Sequence, residues 1–362
     1  MLQLYTIFHL NLLYSSIEEK ERPKVIENCY WPLLQLSDAL NVPLGIELSG
    51  YTLEEIDRLD SAWIKKFQQL LQAKKIELVG SGYIQMIGPL VPAKVNEWNQ
   101  KLGMLVYQNK LHTRPQIALL NEMTYSAGIV EHYVRSGYQG MVMEWNNPSH
   151  FHPEWEREWK YFPQRCVGNR GGGLPVIWAD TISFQKFQRY AQSEMKLDEY
   201  LRYLFLQRET AKGYFSLYAN DAEVFDFRPQ RFKTESKIKT SEWARINQLF
   251  QTLKEEPSFK LIPPSEVLKG LNKKGGGNKI KLESAEQPIP VKKQEKYNIN
   301  RWALTGRDDL AINTRCFQIF ESLKKKKATA SEWKKLCYFW ASDFRTHITL
   351  KRWKKYQREL WQ

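Results

Sequence analysis

From Leu2 to about Pro264 the chain alternates short apolar runs with longer stretches whose apolar residues recur every three to four positions. The short runs "LQLYTIFHL", "PLGIELS", "IELVGSGY", "PQIALLNE", "GMVMEW", "PVIWAD", "GYFSLYAND" and "FKLIPP" predict strands. Between the early ones, "RPKVIENCYWPLLQLSDAL", "TLEEIDRLDSAWIKKFQQLLQAKK" with Thr52 as N-cap, residues 92–111 and "SAGIVEHYVRSG" predict amphipathic helices. Regular β-α alternation implies a parallel sheet. So many units favour a closed or nearly closed β/α barrel over an open doubly wound sheet.

The pattern changes after residue 268. Residues 269–294, with three consecutive glycines and charged, Pro-containing sequence, predict a flexible linker between the barrel (1–268) and a C-terminal all-α segment (295–362). That segment is helical in period and carries Trp302, Phe317, Phe320, Trp333, Tyr338, Phe339, Trp340 and Trp353. These are too many for a small free bundle to bury, so it should pack on the barrel. The run "GNRGGGLP", 168–175, lacks the Lys-Ser or Lys-Thr of a phosphate cradle and is expected as a mobile loop placed to act as a lid.

Composition adds constraints. The 362 residues are 42% hydrophobic, enough for a sizeable core, and 17 Phe, 18 Tyr and 13 Trp offer faces on which sugar rings stack. The net charge of +14 suggests an anionic partner. Much of the excess lies beyond residue 258 in lysine-rich tracts without the form of a nucleic-acid-binding motif, so nucleic acid is not the expected partner. Cys29, Cys166, Cys316 and Cys337 have no ligand or disulfide spacing, which fits a reducing compartment. The first residues lack a basic start and a cleavage site, and no apolar run reaches the roughly 18 residues of a membrane span. The expectation is a cytoplasmic protein.

In a parallel β/α barrel the reactive groups sit where strands end and loops begin. Those positions carry His9 and Asn11, Glu47, Tyr83 and Gln85, Glu122, Glu144 and Trp145, Asp180, and Asp221 with Glu223. Taken singly, each has a plain reading: Glu122 as a helix cap, "NDAE" as a solvated turn, His9 as a core histidine, Glu144 as a rim ion pair. Taken together, acids recur at strand ends. Two acids, one ionised and one protonated, are the minimum for cleaving a glycosidic bond. Glu144 and Trp145 would then pair a hydroxyl acceptor with a stacking platform, and Asn11, Tyr83 and Gln85 would line the same sugar pocket.

The ordered motifs "FHLNLLYS", "IELVGSGYIQMIGPLVP", "ALLNEMTYSAGIVEHYVRSGYQGMVMEW", "YFSLYANDAEVFDFRPQ" and "WASDFRTHIT" resemble glycoside hydrolase family 57 over nearly the whole chain. The resemblance implies an incomplete seven-stranded parallel β/α barrel with a C-terminal helical domain. It also implies retaining chemistry on α-linked glycans with no metal or other cofactor. It makes Glu122 the nucleophile and Asp221 the general acid/base, with His9 and Asp343 in the sugar pocket. This chain departs from the family pattern in the first motif, where His9, Leu10 and Asn11 stand in place of paired histidines near a proline, and in the second, where Gln85, Ile87 and Gly88 replace a Glu or His before the proline. These differences fit a branch acting on a cell-surface polysaccharide better than an amylase, a branching enzyme or a glucanotransferase. The rivals are a catalytically inactive glycan-binding protein on the same barrel and a deacetylase-like enzyme, which would need a His/Asp metal set with HxxxH spacing.

Overall fold

The parallel core of the sheet runs in the order β8-β1-β2-β3-β4-β5-β7. In chain order its strands are β1 (Leu2–Leu10), β2 (Leu44–Leu48), β3 (Ile76–Gly80), β4 (Ile117–Leu119), β5 (Gly140–Glu144), β7 (Gly173–Ala179) and β8 (Tyr214–Asp221). Three further strands extend it: β6 (Gln164–Val167), antiparallel to β7; β9 (Phe259–Leu261), beside β1; and β10 (Lys279–Ile280), parallel to β6. These positions come from a computed structural model that describes residues 1–228, 240–292, 298–345 and 348–362; His347 and the end of the expected linker, Lys293 and Gln294, lie outside them.

The seven parallel strands form a barrel that is not closed by a ladder between β7 and β8. Side chains bridge that wall instead. The Tyr5 hydroxyl donates to Trp178 O at 2.5 Å, and Ser183 Oγ donates to Leu217 O at 3.1 Å. Alternation along β1 sends Phe8 outward, where it packs against Phe187, Tyr218 and Trp243, so His9 faces the other way. Each apolar run therefore delivers its last polar residue to the mouth.

Local chemistry departs from expectation at three places. The long helix after β2 is two helices: Gly50–Leu59, capped by Ser49, which accepts from Thr52 N, and Ser61–Gln72, capped by Asp60, which accepts from Trp63 N. Thr52 lies inside the first of them and accepts from Leu12 N. Secondly, "GNRGGGLP" is the turn joining β6 to β7, with Gly168 N donating to Gly172 O at 2.7 Å and Gly171 at φ 77°. It stands at the start of β7 and packs on the segment after β4, Asn169 N donating to Ala127 O at 3.4 Å, as a short hairpin turn and not a long loop.

The third difference is the expected linker. Over residues 269–292 the chain stays on the barrel: Gln164 Nε2 donates to Gly275 O at 2.8 Å, Lys279 and Ile280 pair with β6, and Val291 is fully buried. The helices Asp309–Lys324, Ala330–Phe339 and Leu350–Trp361 then pack on the barrel through one apolar cluster that mixes Leu13, Tyr83, Ile84 and Met86 with Phe320, Trp333, Phe339 and Trp340. Trp98 stacks on Trp333 with ring centroids 5.5 Å apart. Arg352, buried in the seam, donates from Nη2 to Leu13 O at 2.7 Å.

The helix Ala93–Leu111 seats the loop after β3 by close backbone approach: a Cβ at Gly103 would lie 2.4 Å from the Gly82 carbonyl carbon. Backbone cannot move aside as a flexible side chain can. Gly103→Ala is therefore expected to cost about 1–3 kcal/mol of stability, read as a lowered urea midpoint at unchanged slope.

Candidate active site

Parallel register sets three mouth residues level. His9 lies opposite Glu47 of β2 on one side and Asp221 of β8 on the other. His9 and Glu47 are buried; Asp221 is half-buried, and its carbonyl accepts from the Tyr218 hydroxyl at 2.7 Å. One turn beyond β8, Glu223 is held by two donors, Asn11 N at 2.7 Å and the Tyr30 hydroxyl. Glu223 thus fixes the backbone that follows β1.

Asn11 joins the two ends of the chain. Its Nδ2 donates to Asp343 Oδ1 at 2.8 Å, and its Oδ1 accepts from Leu13 N at 3.0 Å. Asp343 arrives on a short 3-10 turn, Ser342–Phe344, whose position is set by Ser342 N donating to Gln85 O at 2.9 Å and by a bridge between Met86 and Ala341. Gln85 therefore orients the Asp343 turn through its main chain. Beneath that turn Arg345 donates to Trp302 O at 2.9 Å and lies 3.5 Å from Asp309 Oδ1, so it anchors the helical unit.

Glu122 follows β4 with φ 54° and ψ 20°, and Met123 next to it has φ 50°. Two successive non-glycine residues in left-handed backbone are strained by a kcal/mol or more each, and they persist only where the surroundings fix them. Here Met123 N donates to Leu120 O at 2.8 Å, Thr124 N to Asn121 O at 3.1 Å and Lys292 N to Glu122 O at 3.1 Å, while Ser81 Oγ donates to Asn121 Oδ1 at 2.7 Å. The Glu122 carboxylate, 18% exposed, forms an ion pair with Lys292 Nζ at 2.6 Å.

The electrostatics bind these groups into one cluster. Burial lowers the His9 imidazole to about 4; the charges of Asp221 and Glu122 oppose that shift and Lys292 adds to it. Burial raises Glu47 to about 8, against a hydrogen bond from Ser81 and helped by the charges of Asp221, Glu223 and Asp343. Burial likewise lifts Glu223 to about 7, with Asp221 adding, and Asp343 to about 7, with Glu122 and Asp221 adding against Arg352 and the Asn11 amide. Near neutrality His9 is uncharged and Glu47 largely protonated, so both present hydrogen-bonding groups rather than charges. His9 Nε2 and Asp343 Oδ2 have no hydrogen-bond partner among the described residues, and Glu47 has at most a weak one in Ser81.

Three expected sugar contacts are placed elsewhere. Glu144 is saturated: Oε1 accepts from Asn146 N at 2.8 Å and Thr181 Oγ1 at 2.6 Å, and Oε2 accepts from Asn147 N at 2.6 Å. It caps the short helix Asn146–His150 instead of facing a ligand. Trp145 is buried between Trp155 and Trp178, with centroids at 5.5 and 5.0 Å, and so is no open platform. Tyr83 points into the seam with the helical unit, its hydroxyl donating to Glu54 at 3.1 Å and Lys334 Nζ lying 4.8 Å above its ring. Asp180, also at a strand end, caps the helix Thr181–Ala191.

Lys292 was missed, because the segment that carries it has no periodicity. Glu47 stood among the strand-end acids but was not assigned to the site. Its signal was an acid near the end of "LGIEL", a run whose five residues are all buried.

Fold and site define a β/α-barrel protein of the kind that carries its chemistry on the carboxyl ends of its strands. The chain belongs to Glycosyl hydrolase family 57, whose model matches residues 7–283. Among related chains, Alpha-amylase 1 of Dictyoglomus thermophilum is 23% identical over 193 residues, which are 53% of this chain and 27% of that one. The fold is similar to that of 4-alpha-glucanotransferase from Thermococcus litoralis, with TM-score 0.75 and 13% identity over all of this chain and 58% of that one. It is also similar to the branching enzyme of Pyrococcus horikoshii, with TM-score 0.70 and 13% identity over 99% of this chain and 87% of that one. The chain thus spans about a quarter of the matched amylase and just over half of the glucanotransferase.

Because Glu47 titrates at about 8 in the folded chain against an ordinary 4.5, the folded state holds a proton between those values that the unfolded state has released. Stability therefore falls through this group as pH rises from about 4.5 to about 8. Glu47→Gln removes the effect. Relative to wild type, the variant is expected to gain about 2–4 kcal/mol between about pH 5 and about pH 8, measured by urea denaturation at both values.

Proposed function

We propose that this protein is a retaining glycoside hydrolase or transglycosylase acting on an α-linked oligo- or polysaccharide, with Glu122 as nucleophile and Asp221 as general acid/base. What carries the proposal is the convergence at one barrel mouth of Glu122, Asp221, His9, Glu47 and Asp343, delivered by separate strands and by the helical unit. The α-linked glycan follows from the family and from its relatives, named for amylase, glucanotransferase and branching activity. A cell-surface polysaccharide remains the substrate that best fits the altered first and second motifs.

In the first half-reaction Glu122 attacks the anomeric carbon while Asp221 gives its proton to the departing oxygen. In the second, Asp221 takes a proton from water or from an acceptor sugar, which displaces Glu122. The two outcomes share every residue of the site and differ only in what reaches the glycosyl-enzyme. His9, uncharged, and Glu47, largely protonated at neutral pH, supply neutral donors and acceptors to sugar hydroxyls. Asp343, on its turn above Asn11, supplies a contact from outside the barrel. No described helix is long and apolar enough to cross a membrane.

Two variants separate the roles. Glu122→Gln is expected to abolish turnover while sugar binding, followed by calorimetry, stays within a few-fold of wild type. Asp221→Asn should slow poor leaving groups by a factor of about 100 or more and activated aryl glycosides much less, since these need little proton assistance. Equal loss on both substrate types removes the acid role from Asp221. Binding without turnover by the wild-type protein, on every α-glucan and surface polysaccharide offered, would identify a glycan-binding protein instead. A further variant addresses the helical unit: Asp343→Ala is expected to stay folded, with a melting temperature lowered by the loss of the Asn11 bond, and to raise KM or lower kcat by about 10-fold, the loss of one good hydrogen bond to the sugar.

A further inference from the structure

Residues 281–292 climb the outside of the barrel from β10 to the mouth. The carbonyl of Leu282 lies 3.3 Å from His152 Nε2, Tyr125 N donates to Pro290 O at 2.9 Å, and the Asn147 amide donates to Val291 O. Val291 is buried with Ile87 and Trp302. The next residue, Lys292, meets Glu122 twice: its backbone N donates to Glu122 O at 3.1 Å, and its Nζ stands 2.6 Å from Oε2. A lysine whose own N–H binds the same glutamate and whose preceding residue is buried is not a chance surface ion pair, whose long side chains usually wander.

We propose that Lys292 is a positioning residue that stabilises the Glu122 carboxylate as the leaving group of the second half-reaction; this rests on the nucleophile assignment made above. When the Glu122 oxygen bonds the anomeric carbon, the glycosidic C–O bond breaks and its electron pair leaves with the oxygen that Asp221 protonates. The ester so formed no longer carries the negative charge that Glu122 presents to Lys292. Water or an acceptor hydroxyl then attacks, gives its proton to Asp221 and breaks the ester C–O bond. The electron pair returns to Glu122, and the ion pair with Lys292 forms again. The lysine therefore favours the free carboxylate over the ester and speeds release from the glycosyl-enzyme, at some expense to its formation.

The test compares wild type, Lys292→Met and Lys292→Arg on an aryl α-maltooligosaccharide, with steady-state and stopped-flow release of the aryl group. Lys292 is 36% exposed, so both variants should fold, and equal melting temperatures check this. For Lys292→Met the expected result is a fall of about 10- to 100-fold in both kcat and KM, kcat/KM within about threefold, and a pre-steady-state burst of aryl release. Lys292→Arg should recover most of kcat. A fall in kcat with KM unchanged and no burst overturns the proposal and leaves the hydrolase reading intact. If the wild-type protein turns over neither this donor nor the surface polysaccharides, and forms no covalent ester with any of them, both readings fail together.

Discussion

Glu47, Glu122, Asp221, Glu223 and Asp343 share one barrel mouth, and a low-dielectric site cannot hold so many carboxyl groups ionised at once. Everything around them is arranged by that constraint. Glu47 keeps its proton near neutral pH, Glu223 and Asp343 are pushed up to about 7, and Glu122, partly exposed, is paired with a lysine. Asp221 sits at the end of β8, half-buried and level with an uncharged histidine. The separation of acids by environment is the physical basis for giving one the role of nucleophile and another the role of proton carrier.

The barrel alone does not satisfy the cluster. Strand β1 brings Asn11, but the Asn11 amide finds its acceptor on a turn more than 300 residues later, and Arg352, which opposes the proton uptake of Asp343, lies on the last helix. Lys292 comes from the segment between the two units. The helical unit is thus a wall of the site as well as a packing partner, and the Trp98–Trp333 stack and the Arg352 contacts to the loop after β1 hold that wall in place. Loss of this packing would leave Asn11 and Asp343 buried without their present partners, which is costly in itself.

Much of this was legible in the sequence because a strand that ends in an acid writes a simple pattern: apolar residues, then one carboxylate. That pattern located Glu122, Asp221 and Glu47 at the mouth of a parallel barrel, and the end of the first strand placed His9 beside them. It could not tell a site acid from a capping acid. Glu144 and Asp180 end their strands in the same way, yet their oxygens accept backbone N–H groups at the start of the next helix, a choice made by loop geometry rather than composition. Tyr83 and Trp145 were misplaced for a related reason. Beyond a strand's last residue the two-residue alternation lapses, so the direction of a side chain no longer follows from its position. The two-residue strand β10 and the climb to Lys292 carry no period at all; glycines and prolines that look like a loose tether also suit a segment whose backbone follows a barrel closely.

The departure at Asn11 follows from the same crowding. A second histidine near His9, buried as deeply, would lose its proton as His9 does and offer one donor in a tautomer set by its neighbours. The asparagine amide instead presents a fixed donor to Asp343 and a fixed acceptor to Leu13 N, and neither changes with pH. Its bond to Asp343 also lowers that acid's tendency to hold a proton, opposing the rise caused by burial and by the charges of Glu122 and Asp221. Asn11 therefore does by hydrogen bonding what a cation would do by charge, in a mouth where the Lys292 ammonium is already committed to Glu122. This departure from the family pattern leaves in place Glu122 and Asp221, the carboxylates proposed as nucleophile and acid/base, and changes how their neighbour Asp343 is held.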